Sequence, residues 1–392
     1  MEFSTLGELS ISGKGSYGIA ASAVPCSKEL YTYLRITDIT DDGRINSSGL
    51  MSVDNVNAEK YLLQPNDIVF ARTGGSTGRN YFYDGHDGEF VYAGFLIKFS
   101  INPQKVNPKF IKYYCQSKDY KEWVSSYNTG STRGNINAQT YAGMTVPMLP
   151  RKQQDGIVSV LESIDAKIEE NDHINENLEQ QLQLLYDQLT YDLKGETIEL
   201  SSVIEVRDGT HDSPKPKENG FPLVTSKHLL PFGVDLTSCN LISQADYNKI
   251  NERSAVDTYD ILLSMIGTVG LVSLVIENPV TYAIKNVGLF KTSKRPELYA
   301  FILAYLKSKK TMQHIEKTLA GSTQKYISLG ELRKMPIILP TIEQLSNYNE
   351  IANPLIKQII TLTNENKTLN MLRDSILPKL MSGEIDVSAI DI

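Results

Sequence analysis

Three cysteines in 392 residues, Cys26, Cys115 and Cys239, are too few and too scattered to staple a fold, and none forms a CxxC pair. Such an odd, dispersed set reads as reduced structural thiols of a cytoplasmic protein. No apolar run approaches the roughly 20 residues needed to cross a bilayer. Met1-Glu2-Phe3-Ser4 has no signal-peptide pattern. The five histidines, His86, His173, His211, His228 and His314, show no ligand spacing with cysteines or carboxylates, so no metal site is expected.

Catalytic signatures are equally scarce. Gly13-Lys14-Gly15-Ser16-Tyr17-Gly18 matches GxGxxG, but Pro25 interrupts the next stretch before a helix can form. A dinucleotide loop needs that helix, so a turn lying close to a ligand's backbone is the better reading. Asn278-Pro279-Val280-Thr281 and Asn353-Pro354-Leu355-Ile356 lack the second proline and the aromatic of an amino-methyltransferase motif. Glu365-Asn366-Lys367 carries a nuclease-like ExK without an upstream acid. His211 and Asp212 fall in a turn-rich stretch that suits binding or structure better than catalysis. No catalytic residue is assigned.

The net charge of −7 does not argue for a nucleic-acid partner until it is divided along the chain. Residues 1–150 hold 14 basic and 14 acidic groups, and residues 196–340 hold 17 and 15. The acidic excess sits in 151–195, with 4 against 10, and in 341–392, with 4 against 7.

What the sequence does contain is a repeat, at an offset of about 190 residues. Asn66-Asp67-Ile68-Val69 before Ala71-Arg72-Thr73-Gly74-Gly75-Ser76-Thr77-Gly78 is echoed by Tyr259-Asp260-Ile261-Leu262 before Ser264-Met265-Ile266-Gly267-Thr268-Val269-Gly270. Gly130-Ser131-Thr132-Arg133 returns as Gly321-Ser322-Thr323-Gln324, and Met144 to Pro150 as Met335 to Pro340. After each proline comes a helical segment. In the first, Ile157, Leu161, Ile164, Ile168, Asn171, Asn175, Leu178, Leu182, Leu185 and Leu189 alternate steps of four and three, a coiled-coil seam. In the second the seam is Tyr348, Ala352, Leu355, Ile359, Leu362, Asn366, Leu369, Arg373, Ile376 and Leu380, with Pro354 as the place for a kink or a later start. If the two run antiparallel with full overlap, Asn171 meets Asn366 and fixes the register.

Strand-like runs at Tyr33 to Ile36, Ile68 to Ala71, Val91 to Ile97, Ile261 to Ser264 and Thr281 to Ile284 make the blocks mixed α and β. Helical stretches at Pro108 to Ser117 and Glu297 to Lys307 occupy matching places. The fold class expected is α+β: two similar globular domains, 1–150 and 196–341, separated by two long helices, 151–195 and 342–392, that form an antiparallel coiled coil.

This order resembles the specificity subunits of type I restriction-modification enzymes. Tyr33-Leu34-Arg35-Ile36-Thr37-Asp38-Ile39-Thr40-Asp41-Asp42-Gly43 is similar to the opening of one class of target-recognition domain. Asp208-Gly209-Thr210-His211-Asp212-Ser213-Pro214-Lys215 with Gly220 to Lys227 is similar to another, and Leu377-Pro378-Lys379-Leu380-Met381-Ser382-Gly383-Glu384-Ile385 to the family's C-terminal end. The resemblance implies a non-catalytic subunit whose two domains each read half of a bipartite double-stranded DNA target, with the helices setting the gap. It implies two methyltransferase subunits as partners, and restriction subunits with nuclease and motor. S-adenosylmethionine, ATP and magnesium then belong to those partners, and this chain binds no cofactor. The segment ahead of the first domain is brief, so contacts of a longer arm are not expected. A recognition subunit of a related type II system, a coiled-coil protein-binding scaffold and an enzyme of unfamiliar motif are the alternatives.

Polar, glycine-rich and basic segments suit close approach to DNA. In the first block these give Lys14, Arg72, Thr73, Ser76, Thr77, Arg79, Ser131, Thr132, Arg133 and Asn135 as DNA-binding candidates. In the second they give Arg207, Thr210, His211, Lys215, Lys227, Ser322, Thr323, Gln324, Lys325 and Tyr326.

Overall fold

The computed structural model describes residues 2–47, 49–127, 134–321 and 324–388. It divides into two compact units, Met1–Ile168 with Thr368–Ile392, and Glu169–Lys367. This division cuts both long helices in the middle, whereas the sequence segments treat each helix as a separate spacer. Packing explains it. Ile157, Val158 and Leu161 share a core with Leu377, Leu380 and Met381 in unit 1. Leu178, Leu182 and Tyr186 share one with Tyr348, Ala352, Ile356 and Ile359 in unit 2.

Unit 1 is closed at its ends by an antiparallel pair, Glu2–Thr5 with Thr145–Met148. Its first sheet runs Ser16–Tyr17, Leu96–Ser100, Asp67–Ala71, Asn80–Tyr83, all antiparallel. Its second runs Ala23–Val24, Met51–Val53, Thr32–Leu34, Phe90–Tyr92, the last pair parallel. The strand Asp67–Ala71 is wholly buried. Alternation sends Ile68 and Phe70 to the core that includes the helices, and Val69 and Ala71 to a second core under the other sheet.

Unit 2 repeats this order. Ile198–Glu199 pairs with Pro336–Ile337, and the first sheet runs Val206–Asp208, Val287–Phe290, Ile261–Ser264, Val272–Leu274. The second runs Asn240–Ile242, Phe221–Val224, Ala283–Ile284, again with the last pair parallel. Ile261 and Leu263 face the core shared with the helices, and Leu262 faces the other. The helix Gln244–Ser254, with Ser243 as N-cap, is an addition where unit 1 has only the short turn Ala58–Tyr61.

Two expectations need correction. The run Val91 to Ile97 is not one strand, because the chain changes sheets within it. Phe90–Tyr92 belongs to the second sheet and Leu96–Ser100 to the first, with the Leu96 N–H donating to the Ala93 carbonyl at 2.8 Å across the turn. Pro354 neither ends nor delays the second long helix, which runs unbroken over Ile342–Met381. Its start is fixed by Thr341 and Gln344, whose side chains bond each other's backbone N–H at 3.2 and 2.9 Å. The ring of Pro354 is exposed, off the seam. Among the described residues no helix is long and apolar enough to cross a membrane, no group of His, Cys, Asp and Glu could hold a metal ion, and the three cysteines are free.

His228 gives unit 2 a pH dependence. The ring is buried, its Nδ1 accepts from the Thr225 N–H at 2.9 Å, and its Nε2 has no partner. Burial, with Lys227 alongside, holds its pKa below the ordinary histidine range. The unfolded chain therefore binds this proton more readily, so stability is full above the unfolded value near ~6.5 and falls as pH drops below it. Urea unfolding should show a lower midpoint at about pH 5.5 than at about pH 7.5, and His228→Gln should flatten that difference. An unchanged difference in the variant would assign the effect elsewhere.

Candidate nucleic-acid interface

Each buried central strand ends in a polar loop that is bridged by a segment just before a short helix. In unit 1 the loop 72–79 comes directly after Asp67–Ala71. Thr73 bridges Asn135, and the Ile136 N–H donates to the Arg72 carbonyl at 2.9 Å. The Thr77 hydroxyl is shared between the carbonyls of Gly74 (2.8 Å) and Gly134 (3.0 Å). Gly74 and Gly78, at φ 78° and 91°, adopt the left-handed conformation that the turn requires.

The same construction recurs in unit 2. Ile266 bridges Tyr326, and the Ile327 N–H donates to the Met265 carbonyl at 3.0 Å. A third segment joins each site. The chain crosses the sheet at Gly18 in unit 1 and at Gly209 in unit 2, where an added Cβ would lie 2.2 Å from the Tyr92 carbonyl oxygen and 2.3 Å from that of Ile284. Gly15 and Gly18 of the GxGxxG stretch thus make room for other parts of the chain, an added Cβ at Gly15 meeting Ile97 and Phe99, whereas Gly13 faces open space at φ 73°.

In unit 2 this brings several candidates together. Thr210 bridges Lys285 and its hydroxyl accepts from the Asp212 N–H at 3.1 Å. His211 lies between Asn286 (2.8 Å) and the buried Asp208 (3.0 Å), whose carboxylate is also held by Arg253 at 2.6 Å. Asn286, Gly267, Thr268 and Lys227 line one open cavity of about 570 Å³. Gln324, Lys325 and Tyr326 are exposed, and the Lys325 carbonyl accepts from the Gly267 N–H at 3.4 Å. Lys215 is exposed in the segment after His211.

Other candidates are engaged within the protein. Arg79 binds Asp41 through Nε at 2.7 Å and Nη2 at 3.2 Å, and the Ile39 carbonyl at 3.1 Å, so it fastens the 39–41 turn. Arg207 is held by Glu205 and by the Arg253 carbonyl. Ser76 is buried. Lys14 is exposed in the turn before Ser16–Tyr17, its carbonyl accepting from the Ser12 hydroxyl at 2.7 Å. Asn135 is exposed. Ser131, Thr132, Arg133, Ser322 and Thr323 lie outside the described residues.

Sequence reasoning passed over Tyr17, Thr268 and Asn286. The ring of Tyr17 lies under the Arg72 guanidinium, 5.1 Å from its carbon to the centroid. Asn286 turns the chain between two strands at φ 54°. Its signal was an asparagine breaking an apolar run.

On the helices, Asn171 is fully buried and its Nδ2 donates to Asn366 Oδ1 at 2.8 Å and to Glu365 at 3.1 Å. Asn366 Nδ2 in turn donates to Asp172 at 2.8 Å. Asn175 lies 3.5 Å from the Thr363 hydroxyl. The halves of the two helices within unit 2 are therefore antiparallel. In unit 1 the charge intruding on the seam, Arg373, is satisfied by Asp165 at 3.2 Å.

The chain matches the family model for the type I restriction modification DNA specificity domain over residues 1–180 and 194–371. It is 25% identical over 311 residues to the type I restriction enzyme MjaIX specificity subunit of Methanocaldococcus jannaschii, covering 72% of this chain and 70% of that one. It is 22% identical over 402 residues to the EcoKI specificity subunit of Escherichia coli K12, covering 93% and 84%. The crystal structure of a type I restriction-modification S subunit from M. genitalium has the same fold, with a TM-score of 0.50 at 16% identity over 97% of this chain and 95% of that one. Two matched regions that together span most of the chain, on a fold whose first sheet repeats in the same strand order, place this protein in the family of type I restriction-modification specificity subunits.

Proposed function

We propose that each unit reads one half of a bipartite double-stranded DNA target, and that the chain itself performs no chemistry. The observation that carries this reading is the repeated three-segment site. In both units the loop after the central strand, the segment before the short helix and the crossing at Gly18 or Gly209 converge. Loops held by backbone bridges can present amides, hydroxyls and basic side chains to phosphates and base edges without reordering. The candidates not absorbed by internal ion pairs fit this role: Lys14, Arg72, Thr73, Thr77 and Asn135 in unit 1, and Thr210, Lys215, Lys227, Gln324, Lys325 and Tyr326 in unit 2, while His211 stands beside them with its ring held by Asp208 and Asn286. Arg79 and Arg207 shape the site from behind.

Methyltransferase subunits carrying S-adenosylmethionine dock along the acidic long helices, and restriction subunits bring nuclease, ATP and magnesium, all within the cytoplasm. This chain supplies the address and the register.

Exchanging residues 1–150 for the first block of another member should change one half of the methylated motif and leave the other half intact, as read by methylation mapping of the assembled enzyme. DNA affinity should fall steeply with salt, in proportion to the phosphates contacted. A swap that altered both halves, or binding insensitive to salt, would sink the reading.

A further inference from the structure

Unit 1 shows which of its basic groups are committed elsewhere. Arg35 pairs with Asp38, Arg44 with Asp42, Arg79 with Asp41, Arg151 with Asp155 and Arg373 with Asp165. Among the described arginines of the unit, Arg72 alone has no carboxylate partner. It is nonetheless half-buried, at the head of the loop that leaves the central strand.

Three constraints hold it. Its backbone is bonded on both sides, N–H to the Phe95 carbonyl at 3.1 Å and carbonyl to the Ile136 N–H at 2.9 Å. Its guanidinium lies over the Tyr17 ring. Tyr17 is itself fixed, because its hydroxyl accepts from the Ala138 N–H at 3.2 Å. The third constraint is chemical. Arg72 Nε is shut away from solvent without a hydrogen-bond partner, and neither terminal nitrogen is found in that state among the described residues. Side-on pairing through Nε and one terminal nitrogen is closed to any ligand. The end-on fork of the two terminal nitrogens is what remains.

We propose that Arg72 is a specificity-determining residue that reads a guanine through its O6 and N7 in the major groove, with Tyr17 as its positioning residue. A flat fork fixed on a ring and open only at its end matches two coplanar acceptors on one base edge. A phosphate contact would need neither the stack nor the fixed plane, and a lysine would serve it as well. The inference rests on the proposed DNA-reading role of unit 1 and names the base that one of its side chains selects.

The test is methylation-motif mapping with the complete enzyme, alongside binding to duplexes that vary one base pair at a time. Arg72→Ala should abolish the requirement for guanine at one position of one half-site, lowering discrimination there roughly 5- to 150-fold, with the other half-site unchanged. Tyr17→Ala should relax the same position, and more than Tyr17→Phe, which keeps the ring but gives up the bond to the Ala138 N–H. Arg72→Gln, a gentler change should alanine impair folding, should also lose the guanine. Uniformly weaker binding with a shallower salt slope and an intact motif would make Arg72 a phosphate contact and overturn the proposal, as would an unaltered motif in Arg72→Ala. If the wild-type enzyme shows no bipartite motif at all, the DNA-reading role itself fails, and this inference with it.

Discussion

Replacing Asp260 by alanine should destabilise unit 2 by about 3–5 kcal/mol, seen as a lower urea midpoint. Asp260 is fully buried at the start of the central strand. One oxygen accepts from the Asp257 N–H at 2.7 Å and from the Lys291 ammonium, and the other from the Ser293 N–H at 3.1 Å. Lys291 is almost as deeply buried and reaches Asp257 at 2.6 Å. Truncation leaves an ammonium in the interior with the exposed Asp257 carboxylate and the Ala255 carbonyl, at 3.0 Å, to answer it, and two backbone donors with none. The double change Asp260→Leu with Lys291→Met removes both charges together and should recover most of the loss, because apolar replacement of a whole buried pair is often neutral. A cost for Asp260→Ala below about 1 kcal/mol, the value of an exposed pair, would show that solvent already reaches the site.

The sequence foretold this position through the repeat, since Asp67 stands at the same place in unit 1. There the carboxylate accepts from the Gln64 N–H at 2.8 Å and from Lys98 at 2.8 Å. The residue before each aspartate, Asn66 or Tyr259, sits at φ 73° or 69°. A strained turn, a buried acid and an apolar strand recur together, which is why the echo was legible despite little identity. The helix seams were legible for a similar reason, since steps of three and four have one physical meaning over many turns.

What sequence could not give is equally physical. A continuous apolar run hides a change of sheet, because both sheets are buried, so Val91 to Ile97 read as one strand. Nor does composition show which arginines are neutralised inside the fold. Arg79 and Arg72 stand in the same polar loop, yet Asp41 claims one and Tyr17 holds the other. Both partners lie far away in the chain. A seam, likewise, marks a helix pair but not which globular block each half of a helix packs against.

The buried amide pair on the long helices yields the second large effect. Asn171→Leu should cost about 1–3 kcal/mol, since Asn366 keeps its bond to Asp172 but its carbonyl oxygen loses the donor now 2.8 Å away. Asn171 is not ideally satisfied even now, because its own Oδ1 is buried without a partner. The double change Asn171→Leu with Asn366→Leu should therefore be neutral or stabilising, as apolar pairs at such seam positions are. That contrast separates a stabilising bond from a register device. If the amides specify register, the double variant gains stability and loses uniqueness. Register is read by disulfide trapping between Leu178→Cys and Ile359→Cys, two residues of the unit 2 core that an antiparallel register set by Asn171 and Asn366 brings opposite one another. The wild-type background should trap this pair alone, and the doubly substituted background should also trap cysteines placed one heptad away, a slip of about 10 Å. A double variant that is destabilised and still traps a single register would mean that the surrounding leucines and isoleucines fix the alignment and the asparagines only decorate it.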